Sequence, residues 1–95
     1  MSLKFEWHEE KAKRNLKKHG VSLLEASSVF ADSLALTIPD PLHSEEEDRT
    51  ITLGESLRGR LLVVVSTERG DKIRIISARV ATRHERSNYE KGTEG

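Results

Sequence analysis

The chain has 95 residues, of which 35% are hydrophobic, so it is long enough for one compact core and too short for two. It has no cysteine, which excludes disulfides and thiolate metal sites and fits a reducing cytoplasm, and no apolar run approaches membrane-spanning length or a signal peptide. The formal net charge is zero, which argues against a globally basic nucleic-acid-binding protein. The charge is nevertheless uneven: net +3 over residues 1–20, net −5 over residues 40–48 and net +4 over residues 69–91.

The N-terminal third predicts one strand followed by two helices. Residues 3–7 alternate between apolar and charged side chains, as in a short amphipathic strand. Residues 8–19 favour a helix with acidic residues in the first turn and basic ones in the last, and Gly20 suits the position after its end. Ser22 followed by Glu25 predicts the capped start of a second helix, which ends near Asp32.

The remaining chain predicts four strands and a final helix. Residues 34–38 and 49–53 favour strands on either side of a proline-containing acidic loop. The uniformly apolar run 61–65 predicts a central strand, and a turn at Gly70 leads into a strand over residues 72–78. Regular alternation would place Ile73, Ile75 and Ser77 on one face of that strand and Lys72, Arg74, Ile76 and Ala78 on the other.

The element order predicts a single α+β domain over residues 1–95. We expect an antiparallel, twisted sheet of about four to five strands, two N-terminal helices and a C-terminal helix that begins after Ala81.

The sequence carries no phosphate-binding glycine loop and no nucleophile elbow. Its four histidines, at positions 8, 19, 43 and 84, lack metal-ligand spacing, so we expect neither a metal nor a cofactor. His, Glu and Arg side chains beside a basic surface suit phosphodiester cleavage without a metal. That reaction needs groups that transfer protons and cations that stabilise the charge on the phosphate.

Five residues are candidates for catalysis. His43 follows a strand in a loop and is the candidate for proton transfer, with Glu47 and Arg49 spaced as an orienting ion pair. Arg79 and Arg83 lie where two guanidiniums could converge on a phosphate. The alternatives are a solvated loop for the first three and ion pairs to Glu85 or to the acidic loop for the two arginines.

Six further residues are candidates for contact with RNA. The acidic run 44–48 would repel RNA, so it is either a solvated loop or a docking site for a basic partner. At the end of the first helix, the basic residues could instead compensate the helix dipole, and the tyrosine could pack the last helix on the sheet rather than stack on a base. The six candidates are Lys17, Lys18, Lys72, Arg74, Arg86 and Tyr89.

Several segments resemble a known family: FEW near the start, then KHGVS, VFADSLAL, DPLHSEEED and SLRGRLLVVVSTERGDKIRIISAR. Together they are similar to the BrnT toxins over nearly the whole chain. The resemblance implies a RelE-like fold and a ribonuclease toxin of a type II toxin–antitoxin pair, neutralised in a hetero-oligomer by a small DNA-binding BrnA-type antitoxin. The matching positions are Lys18, His19, Gly20, Asp40, His43, Glu47, Arg49, Arg79, Glu85 and Arg86.

One departure from the family is visible after Trp7, where His8-Glu9 replaces the common Asp-Pro and weakens the predicted start of the first helix. Two hypotheses about function follow. The first is a cytoplasmic, metal-independent endoribonuclease that uses the 2′-hydroxyl of RNA as its nucleophile. The second is a non-catalytic partner-docking or co-repressor subunit of the toxin–antitoxin complex, which would contact promoter DNA only through the antitoxin.

Overall fold

The computed structural model describes residues 3–40 and 48–94, and it confirms the predicted α+β fold class. Three helices and one short 3₁₀ segment accompany a sheet of five strands. The helices are α1 (Glu9–His19), α2 (Leu23–Ser27) and α3 (Arg83–Glu94), with the 3₁₀ segment at Ser28–Ala31. The strands are β1 (Lys4–Glu6), β2 (Leu36–Pro39), β3 (Arg49–Glu55), β4 (Leu61–Arg69) and β5 (Lys72–Val80).

The strands lie in the order β1-β5-β4-β3-β2. Every neighbouring pair is antiparallel except β1 and β5, which run parallel. These two strands are far apart in sequence, so no hairpin forces them to run in opposite directions. The apolar run 61–65 does lie in the central strand, but β4 continues to Arg69 and buries Ser66 and Thr67.

The first two helices begin and end with the predicted local chemistry. Gly20 ends α1 in the left-handed conformation, with φ of 68°, and its N–H donates to the Leu16 carbonyl over 2.9 Å. The Ser22 Oγ accepts from the Glu25 N–H over 3.0 Å at the start of α2. His8 precedes α1 without a side-chain cap, as its departure from the family pattern predicts.

The core lies between these helices and one face of the sheet. Phe5 and Phe30 close it at one side, with ring centroids 5.4 Å apart. Among the described residues, the fully buried apolar side chains in this cluster are Val21, Leu23, Ala26, Val29, Leu62, Val64, Ile75 and Ala78. The other sheet face, which we call the open face, is less completely covered: Ile38 on it is 57% exposed, although Val63 is only 6% exposed.

A buried carboxylate fixes α2 to the turn between β3 and β4. The Glu25 side chain, only 5% exposed, accepts from the Ser56 Oγ over 2.7 Å and from the Arg60 Nε over 2.9 Å. A second Arg60 nitrogen also donates to this carboxylate, which makes the pair bidentate. The arginine hydrogen bond is the main reason that the pKa of Glu25 is lowered. The carboxylate therefore holds together elements that are distant in sequence rather than completing the cap of α2.

The β5 strand contains a β-bulge that corrects the predicted faces. Val65 pairs with Ser77, whereas the next residue, Ser66, pairs with Ile75, so Ile76 is an extra residue in β5. Ile75 and Ala78 consequently share the core face, and Ser77 moves to the open face. Regular alternation, which places Ile75 and Ser77 together, is therefore wrong beyond this point.

Candidate active site

The open face of the sheet has an apolar centre and a basic side. The centre consists of aliphatic side chains from β2, β3 and β4, namely Leu36, Ile38, Ile51, Leu53, Val63 and Val65. Ile38 is 57% exposed, Val63 is buried and the other four are half-buried, so this surface is partly accessible in the isolated chain. We refer to these six residues as the apolar sheet face.

Basic residues of β5 border this surface because of the bulge. Arg74 pairs with Thr67 and Arg79 pairs with Val63, and these two partners lie an even number of residues apart on β4. Both arginines therefore project from the same face of the sheet. In a regular strand without the bulge, Arg74 and Arg79, which are five positions apart, would lie on opposite faces.

A cavity of about 450 Å³ opens on this face beside Arg79. Its polar lining comes from three elements: His19 at the end of α1, Ser77 and Arg79 on β5, and Glu85 in the first turn of α3. We call it the Arg79 cavity. Its floor is formed by four members of the apolar sheet face together with Ala78, so charged groups here stand against an apolar wall.

Arg79 and Glu85 form a bidentate ion pair at the edge of the cavity. The Arg79 Nη1 donates to Oε1 over 2.8 Å and Nη2 donates to Oε2 over 2.7 Å. The Arg79 hydrogen bonds are the main reason that the pKa of Glu85 falls to about 2, and the same contact raises the pKa of Arg79. Both groups are therefore charged at neutral pH.

The same carboxylate begins α3. The Thr82 N–H donates to the Glu85 Oε1 over 2.8 Å, and the Glu85 N–H donates to the Thr82 Oγ1 over 3.2 Å. This reciprocal pair is a complete capping box at the first turn of the helix. The orientation of Arg79 and the start of α3 consequently depend on one side chain.

Asn15 fixes the end of α1 against β5. Its Nδ2 donates to the carbonyls of Ala78 and Val21, each over 2.9 Å, and its Oδ1 accepts from the Ala78 N–H over 3.1 Å. β1 pairs only with residues 72–74 of β5, so this amide satisfies backbone groups that no neighbouring strand covers. His19 lies one helical turn after Asn15 and on the same side of α1, which brings it to the cavity.

Tyr89 holds the middle of α3. Its hydroxyl donates to the Asp32 Oδ2 over 2.7 Å, and the same carboxylate accepts from the backbone N–H groups of Leu34 and Glu55. The hydrogen bond to Asp32 raises the pKa of Tyr89 to about 12. The alternative predicted from the sequence has Tyr89 pack the last helix on the sheet, whereas its hydroxyl binds Asp32, which follows the 3₁₀ segment.

A second cavity of about 380 Å³ continues along the apolar sheet face toward α3. Its polar lining comes from His84, Glu85 and Asn88, and it shares three floor residues with the Arg79 cavity. The two cavities therefore form one groove between the sheet and the last helix.

Of the predicted catalytic residues that the structure describes, only Arg79 lines the Arg79 cavity. His43 and Glu47 lie outside the described residues. Arg49 is half-buried at the start of β3, on the same face as Arg79 but near the opposite end of the sheet. Arg83 is exposed in the first turn of α3 and does not line either cavity.

The predicted RNA contacts lie on three separate elements, α1, β5 and α3. Glu6 on the neighbouring strand accepts from the Arg74 Nε over 2.8 Å, a hydrogen bond that lowers the pKa of Glu6, and it lies 3.9 Å from the Lys72 Nζ. Lys17 and Lys18 are exposed in the last turn of α1, and Arg86 is exposed on α3.

The sequence reasoning missed three contributors to the cavity. His19 was interpreted from its charge as compensating the helix dipole and was otherwise named only as a position that matches the family, and neither Asn15 nor Ser77 was a site candidate. The spacing of Asn15 and His19, four residues apart on a helix, is a signal that could have linked them. The bulge that places Ser77 on the open face is not marked by a comparable pattern in the sequence.

Two features are absent from the described residues. Among them, no group of three or more His, Asp or Glu side chains is arranged as a metal site. Nor do residues 3–40 and 48–94 include a helix long and apolar enough to cross a membrane.

Comparisons with known proteins identify the family. A search of curated proteins found no match to the chain. Among solved structures, the fold is similar to that of the ribonuclease toxin BrnT of Brucella abortus, solved at 1.1 Å, with a TM-score of 0.68 and 24% identity over 86% of this chain and 100% of that one. Residues 7–85 match the family described as ribonuclease toxin, BrnT, of type II toxin–antitoxin systems. Since this match covers most of its length, the chain belongs to the BrnT family of ribonuclease toxins.

Proposed function

We propose that this protein is a metal-independent endoribonuclease that acts in the cytoplasm, cleaves RNA and thereby inhibits translation. The observation that carries the proposal is Arg79, whose guanidinium is fixed by Glu85 at the edge of an open cavity. A preorganised cation beside an apolar wall stabilises developing negative charge more effectively than a mobile one in water. The toxin family to which the chain belongs supports a reaction on RNA.

The chemistry is an internal transfer of a phosphoryl group. The 2′-oxygen attacks the adjacent phosphorus, a P–O2′ bond forms, and the P–O5′ bond breaks with its electron pair on the 5′-oxygen. One proton leaves the 2′-hydroxyl and one joins the 5′-oxygen, so the products are a 2′,3′-cyclic phosphate and a 5′-hydroxyl. Hydrolysis of the cyclic phosphate gives a 3′-phosphate.

We assign the roles as follows. Arg79 binds the scissile phosphate, with Arg49 and Arg83 on neighbouring phosphates, and His43 with Glu47 transfers protons. An arginine has five N–H donors, and Arg79 uses three of them on Glu85 and on the Val80 carbonyl, which leaves two for a phosphate. The RNA strand follows the basic side of the open face, along Lys17, Lys18, Lys72, Arg74, Arg86 and Tyr89.

Family membership also implies an antitoxin partner. We infer that this is a BrnA-type antitoxin that covers the apolar sheet face and its basic border, forming a hetero-oligomer that contacts DNA only through the antitoxin. The exposed aliphatic surface supports this, because contiguous apolar patches commonly mark protein interfaces. The same surface favours a second candidate function, a non-catalytic partner-docking or co-repressor subunit.

Cleavage of RNA by the purified protein separates the two functions. A long RNA is incubated in excess EDTA with the wild type, Arg79→Ala and Arg58→Ala. In parallel, translating ribosomes are incubated in translation buffer with the same three proteins. Arg58 is 73% exposed on the turn before β4, so its variant controls for the loss of one positive charge. Fragments ending in cyclic or 3′-phosphate, made by the wild type and Arg58→Ala but not by Arg79→Ala, support the enzyme. Intact RNA in every arm favours the docking subunit.

A further inference from the structure

We propose that His19 is the general base that takes the proton of the attacking 2′-hydroxyl, a role that rests on the proposed ribonuclease function. In this assignment Asn15 is a positioning residue, because its amide determines where the end of α1 meets β5.

The position of His19 is fixed from two directions. Before it, Asn15 binds both the N–H and the carbonyl of Ala78, the residue directly before Arg79. After it, the Gly20 carbonyl accepts from the Arg60 Nη2 over 3.1 Å, and Arg60 is itself paired with the buried Glu25. The last turn of α1 is therefore tied to the sheet on both sides of the imidazole.

The other polar residues lining the Arg79 cavity cannot take a proton efficiently near neutral pH. Glu85 is a weak base, because its carboxylate already accepts from both terminal nitrogens of Arg79 and from the Thr82 N–H. Arg79 remains protonated, and the Ser77 hydroxyl is far too weakly basic. Among the described residues that line this cavity, His19 is the only histidine, and an imidazole is the commonest general base in enzymes.

The surroundings of His19 leave the imidazole available. It is half-buried, so it can reach both the cavity and solvent, and among the described residues its side chain has no hydrogen-bond partner. The charged groups around it are Arg79 on β5, Glu85 on α3, Arg60 beside Gly20, and Lys17 and Lys18 on its own helix. Because Arg79 and Glu85 neutralise each other, the cavity holds no large net charge of its own.

The experiment measures cleavage of the RNA substrate in excess EDTA, or of ribosome-bound RNA if only that is cut. The test variants are His19→Gln, His19→Ala and His43→Gln, and the matched control is His8→Gln. His8 is exposed and makes no side-chain cap, so its loss removes one histidine without touching the cavity. Circular dichroism and the fluorescence of Trp7, the single tryptophan, confirm that each variant is folded.

We expect His19→Gln to lower kcat by about 10²- to 10⁴-fold with little change in KM, as the loss of a proton-transfer group predicts. The acidic limb of the pH–rate profile should disappear in this variant and persist in His8→Gln. Added imidazole should restore part of the activity of His19→Ala, which a merely structural defect would not allow.

Three results would overturn the assignment. The first is a normal kcat and an unchanged pH profile for His19→Gln, in which case the ribonuclease function stands without this base. The second is an acidic limb that is lost in His43→Gln but kept in His19→Gln, which would show that His19 is not the base. The third is the absence of cleavage by wild type and His8→Gln on both substrates, which removes the proposed function and the base together.

Discussion

Arg79 on β5 and Glu85 on α3 are joined by two parallel hydrogen bonds of 2.8 and 2.7 Å. Five residues separate them along the chain. β5 and α3 are therefore linked by this ion pair as well as by the backbone between them. Because the Glu85 carboxylate also caps α3, one side chain fixes both the guanidinium and the start of the helix. The phosphate-binding geometry that we propose is thus part of the fold.

The first prediction concerns the acid stability that Glu85 provides. Its pKa is about 2 in the folded protein against an ordinary 4.5, so its contribution is complete above pH 5 and is lost as the pH falls toward 2. Allowing for a side chain that is 26% exposed, we expect Glu85→Gln to lower the free energy of unfolding by about 1–2 kcal/mol at pH 7. Urea unfolding at pH 7 and pH 3 measures the difference, which should shrink at the lower pH. A difference that is equal at both values would contradict the ion pair.

The second prediction concerns the buried Glu25 carboxylate. Arg60→Ala would leave this charge without its main partner, so we expect a loss of about 3 kcal/mol of stability. Arg58 lies 3.7 Å from the same carboxylate but is 73% exposed, and Arg58→Ala should change stability by less than about 0.5 kcal/mol. Chemical denaturation followed by Trp7 fluorescence compares the two variants. Equal losses would mean that the carboxylate is held by general charge rather than by Arg60.

The third prediction uses Tyr89, the only tyrosine of the chain. Its ultraviolet absorption should report an ionisation near pH 12 in the wild type, and Asp32→Asn should move the pKa back toward 10. Because the folded pKa is the higher one, this contribution to stability is complete below pH 10 and is lost as the pH rises through 12. Tyr89→Phe should cost about 1 kcal/mol at neutral pH. An unshifted wild-type titration would show that the hydrogen bond to Asp32 does not form in solution.

The fourth prediction compares two glycines. A Cβ on Gly54 would lie 2.8 Å from the Val29 Cγ1 and 3.0 Å from the Ala35 Cβ, so Gly54→Ala should cost about 2 kcal/mol. In α3, a Cβ on Gly92 would meet only the end of the flexible Leu36 side chain at 3.2 Å, and alanine favours helix. Gly92→Ala should therefore be neutral or stabilise by up to about 0.5 kcal/mol. Thermal unfolding compares the stabilities of the two variants. A larger loss for Gly92→Ala than for Gly54→Ala would contradict the position of α3 beside Leu36.

Local signals in the sequence were enough for most of the fold. The uniform apolar run 61–65 predicted the central strand, and Gly20 and Gly70 marked turns that do require positive φ, at 68° and 64°. The bulge was not predictable by alternation. Ile75 and Ile76 are adjacent and both apolar, so either register places an isoleucine toward the core.

The candidate site was only partly predictable because it depends on contacts between distant residues. Arg79 was identified from its charge and position, and its pairing with Glu85 was among the alternatives considered. The approach of His19 depends on the Asn15 amide meeting Ala78, which lies 63 residues away. Glu25 was assigned to a helix cap, whereas its side chain binds Arg60, and no local pattern distinguishes these two uses.

The extra residue in β5 also bears on how relatives of this chain should be compared. Arg74 and Arg79 lie five positions apart and share a face because the bulge takes up one residue, so a relative without the bulge would carry the equivalent pair four positions apart. A sequence alignment can place a one-residue gap at either of the two adjacent isoleucines, so it can hide such a change. Homologous arginines are therefore better matched by their partners on the central strand than by sequence letters alone.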